Sequence, residues 1–416
     1  MVAGVPLIDL DRAPPAPVEA PPAGRRPWLL FAVIAAVLFT LSAAVPARPG
    51  LSLVLSVADP VTSVQLGAAS FFLSTSTDVR RYALPAGTES WRREFDRDVQ
   101  NLWADLDAGV VLVLAGGGQQ LTALDAASGE PLWSAESPDT LVIATGRGGV
   151  LSQDGAEGKS RLRLTDARTG RTIWTRAVDP GGFLGPDDLY TGRSSWIVAV
   201  GSTGQVVVLS YADGSVLAEG DLGLSLEPRA DRQALANFAS VSVVGDRLYL
   251  SRRLSGQTSL TAYSLRPLRP VWRAVGGPTG TISDCGPVLC VADTRWVSAV
   301  DPAGGAVRWQ QPAWGIAYRF DARRLFAYDN QEDAEAALLD AGTGRVVHPL
   351  GHSRQLGPLV LRTEGNRSWV LMPDPATGDL RTAGSMEQVA WFRCEAAEGY
   401  LVCPLLSGEF RVWQIR

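Results

Sequence analysis

One spaced triplet constrains this chain more than any other feature: an Asp four residues before a Gly, and that Gly four before a Trp. Residues 120–133 read QLTALDAASGEPLW, residues 161–174 RLRLTDARTGRTIW, and residues 296–309 WVSAVDPAGGAVRW. The triplets are Asp125/Gly129/Trp133, Asp166/Gly170/Trp174 and Asp301/Gly305/Trp309. Degenerate copies keep part of it: Gly87 with Trp91, Gly214 alone, Trp272 alone, Asp340 with Gly344, and Asp374 with Gly378. Self-similarity at a spacing of roughly 40 residues marks a repeat architecture, in which each unit buries its apolar faces against its neighbours.

Each copy has a direct physical reading. The alternation Leu121, Ala123, Asp125 predicts a strand. Asp followed by small residues and Gly predicts a tight turn, in which the carboxylate accepts turn amides and Gly takes the positive φ. The next strand carries the Trp. Apolar runs at 110–114, 196–200, 247–250 and 288–291 supply further strands, so each unit holds three or four. No helical period longer than two turns follows residue 50. A small sheet with two faces to bury, repeated at this spacing, predicts an all-β propeller over residues 60–416. Eight blades are counted, and the degenerate copies leave seven or nine open. The 46–59 stretch is a linker whose run 51–57 is a candidate outer strand, closing the ring by joining the two chain ends.

The N-terminal residues set the expected location. Residues 1–27 are rich in Pro and Ala and lack periodicity, which predicts a disordered tail. Residues 28–45 hold eighteen residues without a charge. As a helix they would span about 27 Å, near the thickness of a bilayer core. Arg25 and Arg26 precede this run, and Arg48 is the one cation soon after it. The positive-inside rule then predicts a single-pass membrane protein with a cytoplasmic N-terminus and an extracellular propeller. The alternative is a cleaved signal peptide, for which Val45-Pro46-Ala47 offers small residues. The single lysine, Lys159, against 37 arginines points to a high-GC bacterial genome. A net charge of −5 without a basic run argues against nucleic acid as a partner.

The four cysteines form two local pairs, Cys285 with Cys290 and Cys394 with Cys403, each flanking a predicted hairpin. Outside the cytoplasm such pairs read as disulfides. A four-cysteine zinc site is the alternative, and it would need both pairs side by side. His348 and His352 have helical metal spacing, but Pro349 and Gly351 between them predict a turn. The acidic run 329–335 lacks the alternating ligands and central Gly of a calcium loop. No metal, cofactor or catalytic residue is assigned from sequence.

The apolar strand followed by Asp-x-x-(Ser/Thr/Gly)-Gly-x-x-x-Trp resembles the PQQ-like, or quinoprotein-type, β-propeller repeat, over roughly residues 60–416. The resemblance implies that Trp91, Trp133, Trp174, Trp272 and Trp309 pack between neighbouring blades. Catalytic members of that family carry a vicinal Cys-Cys disulfide over the quinone, and no two cysteines are adjacent here. Non-catalytic members, such as the BamB-type assembly factors of the bacterial envelope, use a ring face for protein contacts. The expectation is therefore a membrane-anchored protein-binding or scaffolding module whose partner is an unidentified envelope or membrane protein. A PQQ-dependent dehydrogenase and a ligand-sensing ectodomain are the alternatives.

Overall fold

The computed structural model describes residues 50–416, apart from 137–139, 157–158, 180–182, 186–194, 224–237, 255, 294–295, 330–334, 375–376 and 391–392. The chain divides into two units, Met1–Arg48 and Pro49–Arg416. The tail and the apolar segment 28–45 lie outside the described residues. Among the described residues no helix is long and apolar enough to cross a membrane.

The described residues of the second unit form an all-β body of small antiparallel sheets. Sheets 1 to 6 have four strands each and span residues 63–94, 99–136, 140–178, 183–221, 238–275 and 281–311. Sheet 7 has seven strands and spans residues 316–387. Its middle strand, Val346–Leu356, pairs by its first half with Glu335–Asp340 and by its second half with Leu359–Glu364. The closing sheet joins Glu395–Ala397, Tyr400–Pro404 and Phe410–Ile415 to Leu51–Val57.

Burial explains the order of strands within a sheet. In sheet 2, Val110–Ala115 is buried on both faces, whereas the fourth strand, Pro131–Glu136, is largely exposed. The fourth strand is therefore the rim, and the first three face neighbours. The apolar clusters straddle pairs of sheets, or in one case the two halves of sheet 7, so no four-stranded unit buries its faces alone. Phe72 and Val79 of sheet 1 pack with Leu102, Val111 and Leu124 of sheet 2. Phe71 and Leu73, on the other face, pack with Tyr400, Val402 and Val412 of the closing sheet. The second half of sheet 7 meets the closing sheet through Leu361, Val370, Leu401 and Trp413.

Leu51–Val57 pairs antiparallel with Phe410–Ile415, from Leu51 opposite Ile415 to Val57 opposite Phe410. The described chain thus contributes both ends to one sheet, and the edge of the C-terminal strand is covered. One sequence expectation is corrected. His348 and His352 stand in the eleven-residue strand Val346–Leu356 and not in a turn. Gly351 at φ 62° and two register shifts absorb Pro349, so the strand bends without ending.

Candidate functional site

A propeller presents function on the faces that its seams hold in place, so the seams come first. Each begins with the aspartate turn. Asp125 Oδ1 accepts the Ala127 and Ser128 amides at 3.0 and 3.1 Å, and Gly129 donates to the Asp125 carbonyl at 2.8 Å with φ 74°. Asp166 accepts the Thr169 amide and hydroxyl, each at 2.8 Å, and Asp301 accepts the Ala303 amide at 2.8 Å. Asp340 repeats this with Thr343. These bonds favour the charged form. The Ser128 amide, against slight desolvation, holds Asp125 below the usual carboxylate value, and Thr169 does so for Asp166. In sheet 4 the turn carboxylate has moved three residues along, to Asp213, which the Ser215 amide draws down to about 2.

The turn glycine of one sheet receives the indole of the sheet before it. A Cβ on Gly129 would stand 2.7 Å from Trp91 Cδ2. The same holds for Gly170 against Trp133 at 2.9 Å, Gly214 against Trp174 at 2.7 Å, Gly305 against Trp272 at 2.6 Å and Gly344 against Trp309 at 2.6 Å. Each indole also donates its Nε1–H to a carbonyl in that turn. Trp91 bonds Ala126 at 3.1 Å, Trp133 bonds Ala167 at 2.8 Å, Trp174 bonds Tyr211 at 2.9 Å, Trp272 bonds Pro302 at 2.9 Å and Trp309 bonds Ala341 at 3.0 Å. The glycines thus serve two ends, positive φ and close approach. The sequence supplies the first reason alone; the second appears once neighbouring repeats are brought together.

A β-bulge aims the indole. In sheet 2, Ala123 pairs with Trp133 and Leu124 with Pro131, leaving Leu132 unpaired. The same shift recurs one residue before the Trp position in sheets 1, 3, 4, 5 and 6 and in both halves of sheet 7. The extra residue bends the rim strand and turns the next side chain to the seam. In four of these bulges the extra side chain is exposed, which accounts for Ile173, Leu217, Val271 and Val347 among the exposed aliphatics, whereas Ala383 in the second half of sheet 7 is buried.

Not every seam has an indole. By register the Trp position holds Ala218 in sheet 4, His348 in the first half of sheet 7 and Gly384 in the second. His348 Nε2 lies 4.0 Å from Asp379 Oδ1, an ion pair when the imidazole is protonated.

The four cysteines are joined as Cys285–Cys290 and Cys394–Cys403. Both bridges tie neighbouring strands of one sheet, and Cys285, Cys290 and Cys403 are wholly buried. The pairs contribute to separate cores, so no four-thiolate cluster forms. Among the described residues no three His, Cys, Asp or Glu side chains converge as for a metal. Part of the acidic run 329–335 lies outside the described residues.

Two features carry no motif. Wholly buried Asp78 holds Arg80 by two bonds of 2.9 and 3.0 Å, and Arg80 reaches Asp59, between the closing strand and sheet 1, at 2.7 Å. Arg92 bonds the same carboxylate. The second feature is a cleft of about 590 Å³ in sheet 7 that includes Tyr318, Phe326, Tyr328 and Arg354. The signal for the network was Asp78 and Arg80 two apart on one strand, with Arg92 opposite Arg80 on the next, and the cleft left none, because its walls come from different repeats.

The family described as outer membrane protein assembly factor BamB matches residues 75–311. No curated protein matches the chain. Among solved structures, BamB from Moraxella catarrhalis is 16% identical, with a TM-score of 0.49 over 88% of this chain and 97% of its own. Sqt1 from Saccharomyces cerevisiae is 9% identical, with a TM-score of 0.47 over 88% of this chain and 99% of its own. The computationally designed Ika8 protein is 13% identical, with a TM-score of 0.46 over 87% and 99%. With the repeat, its turns and more than half of the sequence matched by that family, this chain belongs to the PQQ-like β-propeller family of the outer membrane protein assembly factor BamB.

Proposed function

We propose that the chain is a membrane-anchored, extracytoplasmic β-propeller that binds other proteins and serves as a scaffold for them. The observation that carries this reading is family membership: the matching family is described as an assembly factor, whose work is on other proteins. A rigid ring suits that work, because wedged seams fix many turns on one surface. The two disulfides support a location outside the reducing cytoplasm. Arg25 and Arg26 beside the apolar run 28–45 support an anchor with its N-terminus inside.

In this reading the ring has nine blades. Sheet 7 is two blades running through one shared strand, and each of the eight sequence copies falls in one blade. The closing sheet carries no copy and is the ninth. The sequence count of eight, with seven or nine left open, counts the copies alone.

The test is cross-linking in intact membranes with the full-length chain, followed by detergent extraction and mass spectrometry. Specific enrichment of one or a few envelope proteins over an unrelated single-pass protein is expected. Dye-linked oxidation of alcohols or sugars after loading with PQQ and calcium, without such enrichment, would overturn the reading.

A further inference from the structure

We propose that the cleft between the two halves of sheet 7 binds an extended, proline-rich peptide segment of a partner protein. This deepens the binding-module reading and rests on it. The cleft measures about 590 Å³, within the usual range of ligand sites. It opens between Ile316–Arg319 and the second half of Val346–Leu356, the innermost strands of two neighbouring units.

Its wall is aromatic. Tyr318 and Tyr328 have ring centroids 6.1 Å apart, and Phe326 lies 6.4 Å beyond Tyr328. Phe326 is buried and fixes the base, while Tyr318 is 41% exposed and forms the accessible face. Desolvation, with a hydrogen bond to the Tyr328 hydroxyl, pushes the Tyr318 phenol up, so that ring stays neutral. Arg354 adds a cation at the rim.

The polar inventory selects the ligand. Ser353 Oγ donates its one hydrogen to the Leu350 carbonyl at 2.8 Å. Gln355 Nε2 donates to the carbonyls of Arg319 at 3.3 Å and Gly357 at 3.0 Å, stitching the two halves together. Those donors are occupied by the fold. In a hydrogen-bonded phenol pair one hydroxyl donates to the other, so the second keeps its hydrogen for a ligand. Among the described residues, those lining the cleft include no carboxylate to accept from sugar hydroxyls. Aromatic faces with phenol donors suit a chain of flat apolar rings with unbonded carbonyls. A polyproline II segment is such a chain: it has no internal hydrogen bonds, it is already extended, and it docks in aromatic-lined grooves.

The probe is fluorescein-labelled decaproline, titrated with the full-length chain in detergent and read by fluorescence anisotropy. An equally long Gly-Ser peptide and unlabelled cellohexaose are the controls. Saturable binding of decaproline is expected, without displacement by the sugar. Tyr318→Ala should weaken it at least tenfold, and Tyr328→Phe, which keeps the ring, by a few-fold. Both variants are checked for an unchanged melting midpoint. No saturable binding, displacement by cellohexaose, equal affinity for the Gly-Ser peptide, or undiminished affinity in Tyr318→Ala overturns the proposal. Membrane cross-linking that captures a partner as well in Tyr318→Ala as in wild type would sink the cleft and leave the binding-module reading standing.

Discussion

Replacing Gly344 by Ala tests whether the turn glycines serve close approach as well as conformation. Gly344 has φ 70°, and its added Cβ would stand 2.6 Å from Cδ2 and 2.7 Å from Cε3 of Trp309. Gly365 is the matched control, with φ 59° and no atom within 4 Å of an added Cβ. Both substitutions place an L-residue in the left-handed region, which costs about 1–2 kcal/mol. Only the first also overpacks a seam, for about 1–3 kcal/mol more. Trp309 cannot easily retreat, since it is 9% exposed and its Nε1–H is bonded to Ala341. Gly365→Ala should therefore cost about 1–2 kcal/mol and Gly344→Ala about 2–5 kcal/mol. In a chain of this size each kcal/mol moves the melting midpoint by roughly 1–2 °C. The assay is thermal melting of the full-length chain by circular dichroism, comparing midpoints. Combining Gly344→Ala with Trp309→Ala should recover part of the loss, because the overlap is gone, with a coupling of about 1 kcal/mol or more. Equal midpoints for the two single variants, or strict additivity in the double, would show that the indole does not press on the turn.

Trp133→Ala leaves a cavity in the seam and an unpaired Ala167 carbonyl; a loss of about 3–5 kcal/mol is expected, read by urea denaturation. Burial alone would push the Asp78 carboxyl up, but the bonds and charge of Arg80 and Arg92 outweigh it and hold the carboxyl below its ordinary 3.8. Its stabilisation is therefore full above that value and is lost as pH falls through the depressed one. Asp78→Asn should cost about 3–5 kcal/mol at pH 7 and flatten the acid limb of a melting-midpoint profile. Alkylation before reduction should label no cysteine by mass spectrometry, and Cys403→Ser should cost about 2–3 kcal/mol, as for the loss of a short covalent loop.

What was legible in the sequence was local. The turn at Asp125 and Gly129 is written in consecutive residues, and so is the distance to Trp133. The run 51–57 was legible as a strand, and its partner followed from the need to cover an edge. The segment around His348 and His352 was misread because Pro and Gly usually end a strand, whereas here the bulges let the strand continue between two units. The bulge before each Trp is as regular as the turn. It left no trace in periodicity, because an extra residue in a rim strand changes pairing and not composition. The tyrosine cleft was out of reach for a further reason: its walls come from different repeats, whereas the core of the Asp78 network lies on two neighbouring strands of sheet 1.

The seams without indoles show what the repeat conserves. In the indole seams a large side chain from one sheet fills the space left by a glycine in the turn of the next. Where sheet 5 has lost its turn glycine, the direction reverses. Leu268 of sheet 5 packs back on Gly220 in the rim strand of sheet 4, whose missing Cβ would stand 2.6 Å from Leu268 Cδ2. Beside it Arg266 lies over the Trp196 ring at 5.7 Å. The closing sheet uses the same reversal. Gly384 occupies the indole position of its own sheet, and Leu51 fills the gap, 2.8 Å from where a Cβ would be. On its other side the Val54 backbone carbonyl comes nearest to turn glycine Gly87, with its oxygen 2.6 Å from where a Cβ would be. Close packing requires that each protrusion meet a vacancy, and it does not prescribe which sheet supplies which. The Asp-Gly-Trp triplet is one solution to that requirement. After sheet 4 and after sheet 7, where it is absent, a glycine on the rim and a leucine in the following sheet solve it from the other side.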